Sequence, residues 1–198
     1  MLVLWESFVV YPFRIFVVFL HEISHGIAAV LTGGRIVAIG LSFDEGGVCQ
    51  TRGGWPFVIL NAGYLGSLFW GSTFLVLGER HARARSVIAT IGLFTLAATI
   101  VYVRTPFGFG YGLLAAAVFL AVAARLPPAA SEVLLATIGA TSALYAVWDV
   151  ASDVLFRRSN ESDAAALAHL TGIPAVVWGL FWVLLSFAVL GYVIRRLS

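Results

Sequence analysis

Residues 16–31 read FVVFLHEISHGIAAVL. His21, Glu22 and His25 interrupt a run that is otherwise apolar apart from Ser24. The run, with the apolar residues before it, suits a membrane-spanning helix, which needs about 20 mainly apolar residues. Ionisable groups are costly inside such a helix, so their presence marks function. The two histidines are four residues apart and project from one helix face. Neutral imidazoles at that spacing can bind one Zn²⁺ at about 2.0–2.1 Å each. Glu22 sits beside them, placed to take a proton from a metal-activated water. The motif is H-E-x-x-H, and a satisfied polar cluster that merely holds helices together is the weaker reading.

The rest of the chain fits a membrane setting. Of its 198 residues, 61% are hydrophobic and only 11% charged, with a mean hydropathy of +0.98. A soluble domain carries about 25% charged residues. The composition excludes an ordinary soluble domain, a disordered chain and a nucleic-acid binder. A net charge of +2 calls for no polyanionic partner. The lone Cys49 rules out an internal disulfide.

Six apolar segments read as spans: 8–31, 55–78, 86–103, 107–124, 131–155 and 173–194. The third and fourth predict a tight hairpin around 104–109. The first is not a cleaved signal peptide, because it holds Arg14, His21, Glu22 and His25 and no A-x-A site follows a short apolar core. The expectation is an all-α polytopic membrane protein, one integral-membrane unit over residues 1–198, with the lipid bilayer as its first partner. Six spans put both termini on one side. Arg80, Arg83, Arg85, Arg125, Arg195 and Arg196 lie there, against Arg35, Arg52, Arg104, Arg157 and Arg158 on the other. That balance sets no orientation by the positive-inside rule.

One connection differs. Residues 35–52 read RIVAIGLSFDEGGVCQTR, with two β-prone runs flanking DEGG at 44–47. This predicts a short β-hairpin after the first helix. Its edge could pair with an extended peptide.

Zinc needs at least one further protein ligand. Asp44, Glu45, Glu79, Glu161 and Asp163 fall in connections, and Ser162/Asp163 before AAALAHL reads as a helix N-cap. Asp149 and Asp153, in LYAVWDVASDVLF, lie within an apolar helix. Counted from the span ends, Asp149 matches the depth of His25, about 9 Å inside. Asp149 is therefore the favoured third ligand and Asp153 the alternative. In the second span, NAGYLGS at 61–67 offers Gly63 and Gly66 for close helix approach. Asn61, at the same estimated depth, could bind a substrate carbonyl or serve helix packing alone.

HEISHGIAAVLTGGR, the β-like segment after it and NAGYLGS resemble the site-2 protease group of intramembrane zinc metallopeptidases, in its compact peptidase M50B-like bacterial branch. The pattern continues in LYAVWDVASDVL and in SDAAALAHLTGIPAVVWGLFW. The resemblance implies that His21 and His25 hold zinc, that Glu22 is the catalytic base, and that an Asp on a later helix, by position Asp149, completes the site. It also implies a multi-pass protein of a bacterial cell membrane with its active site nearer the cytosolic face. The expected reaction is hydrolysis of peptide bonds in a membrane-protein or transmembrane-peptide substrate. The alternatives are a metal-transporting protein or a non-catalytic relative that retains the zinc site. The first lacks a recognisable inverted repeat and a path of further carboxylates. The second leaves Glu22 without a role, since metal binding alone does not need it.

Overall fold

The computed structural model describes residues 7–78, 81–155 and 162–197; within these, the side chains of 81, 82, 149, 151–155 and 197 are not described. The element order is α1 (Tyr11–Leu31), β1 (Arg35–Leu41), β2 (Gly47–Arg52), α2 (Pro56–Gly78), α3 (His81–Tyr102), α4 (Pro106–Arg125), α5 (Pro128–Leu155), α6 (Asp163–Thr171) and α7 (Ala175–Leu197). All of these helices except α6 are long and apolar enough to cross a membrane. The six expected spans and the hairpin are therefore present, and the chain is an integral membrane protein. The expected turn between the third and fourth spans narrows to residues 103–105, and helix α4 starts at Pro106, whose fixed φ suits a first helical turn.

Helix α1 is the most enclosed span, with residues 14–26 buried throughout. It packs against α2 through small residues. An added Cβ on Gly66 would collide with the Ser24 side chain, which Trp70 also reaches with an Nε1 donor at 3.1 Å. Helices α2 and α5 come closer still. Gly71 and Gly139 lie against each other's backbone, and Ser142 donates to the Ser67 carbonyl at 2.7 Å. Without a hydrophobic drive between helices in lipid, such close backbone approach and buried hydrogen bonds are what hold a bundle together. The main core gathers Ile15, Phe16, Phe19, Ile39, Ile88, Phe119 and Ile138. A second cluster of Tyr64, Val150, Leu167 and Trp182 seats the short helix α6 against α2, α5 and α7.

The hairpin is built into the bundle. Strands β1 and β2 pair antiparallel from Arg35 with Arg52 to Leu41 with Gly47, with a bulge between Ile36 and Ala38. The outer edge of β1 is closed by the α3–α4 turn. Arg104 donates its N–H to the Ile39 carbonyl at 3.0 Å, and Val103 bridges Ile39. The Thr105 hydroxyl accepts from the Leu41 N–H at 3.0 Å and donates to the Leu41 carbonyl at 2.8 Å. The chain leaves β2 through Gly53 and Gly54, both at positive φ. A side chain on Gly54 would also crowd Thr32 and the Ala29 carbonyl at the end of α1, so this turn requires glycine.

Candidate metal centre and active site

His21 and His25 stand one turn apart on the α1 face that meets α2. Their rings are 4.8 Å apart between centroids, and His21 also stacks edge-on against Tyr64 at 5.2 Å. Opposite them on α2 is Gly63. An added Cβ there would collide with Nε2 of His21 and crowd Nε2 of His25, so the glycine keeps open the space both nitrogens face.

The residue that joins the histidines is Asp163, the first of α6. Its Oδ2 lies 3.1 Å from Nε2 of His21 and 3.1 Å from Nε2 of His25. Ser162 caps α6 by accepting from the Ala165 N–H at 3.2 Å, as the sequence predicts. The cap sets the start of α6 so that the next carboxylate reaches across to α1. Burial raises the Asp163 carboxyl, but its hydrogen bonds to His21 and His25 and their nearby charge outweigh this and hold it below the usual carboxylate range.

The donor set fits a metal. Nδ1 of His25 lies 2.7 Å from the Ile59 carbonyl, so it carries the proton and donates. A neutral His25 then presents a lone pair at Nε2, facing a carboxylate oxygen. Two acceptors at 3.1 Å need a positive charge between them, a proton in the metal-free state or a metal ion in its place, and the same oxygen faces a second Nε2. One atom from each of His21, His25 and Asp163 lies within 4.8 Å of the others. Tetrahedral zinc with bonds of about 2.0–2.1 Å separates its ligand atoms by about 3.3 Å, close to the N···O spacings here. The Ile59 carbonyl does what an outer partner of a metal-bound histidine does: it fixes the tautomer and the ring.

Glu22, one residue round the helix, points elsewhere. A Cβ on Gly47 would collide with its Oε1, and the backbone N–H of Cys49 faces its carboxylate. The base candidate therefore lies against the outer edge of β2. The Cys49 thiol packs toward Gly26 of α1 and is pushed up to about 12 by burial and by the Glu22 carboxylate. A cavity of about 440 Å³ joins these parts. It is lined by His21, Glu22, His25 and Asp163, by Gly47, Val48, Cys49 and Thr51 of β2, and by Tyr64 and Tyr145.

The other expected residues fall as follows. Asp149 and Asp153 lie on α5, but their side chains are outside the described residues. Asp163 takes the third position among the described residues, where the sequence reading saw only a connection and a cap. Asn61 does not line the cavity. Its Oδ1 accepts from Trp182 Nε1 at 3.0 Å and its Nδ2 donates to the Phe57 carbonyl at 2.8 Å, which fits the helix-packing alternative rather than substrate binding.

The family described as Peptidase M50B-like matches residues 1–193. The chain belongs to the peptidase M50B-like family. M50 peptidases are zinc-dependent, and the cluster of His21, His25 and Asp163 is where an M50B-like chain of this sequence can hold the ion. No curated protein and no solved structure matches the chain.

Proposed function

We propose that this M50B-like chain is an intramembrane zinc metallopeptidase that hydrolyses peptide bonds of transmembrane segments. The observation that carries the reading is the convergence of His21, His25 and Asp163 on one point, with Glu22 beside it in the same cavity. His21, His25 and Asp163 would hold the metal through two nitrogens and one oxygen. Zinc, when bound, supplies a Lewis acid that polarises a carbonyl and acidifies water. Glu22 accepts the proton of the attacking water and passes it to the leaving nitrogen. The outer edge of β2 binds the substrate backbone by strand addition, which selects an unwound segment over an intact helix. The protein walls around the site shield that segment from lipid, where irregular backbone is otherwise not tolerated. In this reading the end of the bundle bearing α6 and the hairpin faces the cytosol of a bacterial cell. A reporter fused after Ser198 should then lie on the opposite side of the membrane.

The test is zinc per chain in detergent-purified protein, beside cleavage of a labelled model transmembrane peptide. Wild type should hold close to one zinc. Asp163→Ala should lose it, while Glu22→Gln should keep zinc and lose cleavage. Asp149→Ala and Asp153→Ala, run alongside, should retain the metal. Zinc retained by Asp163→Ala and lost with Asp149→Ala would overturn the ligand set. Cleavage retained by Glu22→Gln would overturn the base.

A further inference from the structure

Arg14 lies in the membrane-spanning α1, its side chain only 9% exposed, and takes no part in the metal cluster. A guanidinium at such a place is tolerated only when partnered, and removing the partner leaves a costly buried charge. Its Nη2 lies 3.0 Å from Oε1 of Glu45, at the tip of the hairpin. Glu45 itself has φ of 65°, the left-handed conformation that a non-glycine residue holds when its surroundings over-determine it. The tip is tied a second time where the Tyr11 hydroxyl donates to the Phe43 carbonyl at 2.6 Å. The turn closes on itself as Ser42 donates its N–H to the Gly46 carbonyl at 2.9 Å. Two residues beyond Glu45, Gly47 lies against Val18 and Glu22 of α1. Arg14 and Glu22 are two turns apart on one helix, about 12 Å along its axis. The hairpin is thus fastened to the same rigid element that carries the base.

We propose that Arg14 and Glu45 are positioning residues, whose ion pair holds the β2 edge against Glu22 and so sets where an extended substrate lies relative to the base. The catalytic consequence rests on the peptidase reading above; the fastening of the hairpin does not. Losing the pair removes one of the tip's fastenings, loosens β2 on α1, and leaves His21, His25 and Asp163 in place because none of them is on the hairpin.

Cys49, the only cysteine of the chain, reports on this directly, since its half-buried thiol faces Gly26 of α1 from β2. The experiment compares wild type, Arg14→Gln, Glu45→Gln and the charge-swapped double variant Arg14→Glu/Glu45→Arg in detergent. Each is read by the rate of Cys49 alkylation with N-ethylmaleimide, by zinc per chain, and by cleavage of the model transmembrane peptide. Each single variant should alkylate at least about tenfold faster, because the opening equilibrium loses a partly buried ion pair. Zinc per chain should stay at the wild-type value. The swapped variant should return alkylation and cleavage toward wild type, which a general packing defect would not do. Unchanged alkylation in both single variants would overturn the fastening. Faster alkylation with undiminished cleavage would overturn the positioning role. If wild type itself cleaves nothing, the peptidase reading and the positioning role fall together, while alkylation still decides whether the pair fastens the hairpin.

Discussion

A methyl group at residue 63 would occupy the space that both imidazole Nε2 atoms face. Gly63→Ala should therefore lower zinc affinity by about 10–100-fold, the usual loss when a group that orients a metal ligand is disturbed. Competition with a zinc-binding dye would measure it. Gly66→Ala meets Ser24 instead and should weaken α1–α2 packing without touching the metal nitrogens. The Cys49 thiol gives a second test at this scale. Alkylation needs the thiolate, so a thiol pushed up to about 12 reacts slowly near neutral pH. Glu22→Gln removes one of the two causes of that shift and should speed the reaction. Equal rates in the two proteins would mean that the Glu22 carboxylate does not sit beside Cys49.

The hairpin has one edge closed by the α3–α4 turn and the other facing Glu22 and the cavity, and the difference follows from its neighbours. Thr105 makes both of its hydrogen bonds to the buried Leu41 backbone, standing in for a third strand. Thr105→Val keeps the shape but strands those groups, which should cost about 1–3 kcal/mol. The expected readout is a lower thermal midpoint in detergent with zinc per chain unchanged. Asn61→Leu should cost a similar amount, about 1–3 kcal/mol, because Trp182 Nε1 and the Phe57 carbonyl lose their partners. A loss of cleavage without any loss of stability would instead return Asn61 to the substrate.

Across the whole molecule, the candidate metal centre links the first helix to the sixth. Chelation should therefore lower the thermal midpoint of the wild type, since a ligand that binds only the folded form adds about 4 kcal/mol at a thousandfold excess over its Kd. Asp163→Ala should melt at the lower temperature and show little response to chelator. How much of this was readable from the sequence depends on range. His21, Glu22 and His25 were legible because helical spacing alone puts the two imidazoles on one face. The spans and the hairpin were legible from local apolarity and the DEGG turn. Asp163 was not. Depth counted along straight spans considers only side chains within spans, and nothing local tells that α6 packs back against α2. Its N-cap signature was read correctly, but a cap says where a helix begins, not what its first side chain reaches. The Arg14–Glu45 pair was hidden for the same reason: each charge was visible, and their meeting depends on how the hairpin lies along α1.

The placement of Asp163 also imposes an order on biosynthesis. A nascent chain that ends between α1 and α6 contains both histidines and the glutamate, yet lacks the carboxylate that joins them. Two imidazoles alone make a poor zinc site, since three protein ligands are usual even where one position stays open. Such a centre can close only after five spans are inserted and α6 has docked. A metal site built this way stays incomplete in every truncated translation product that stops short of that point.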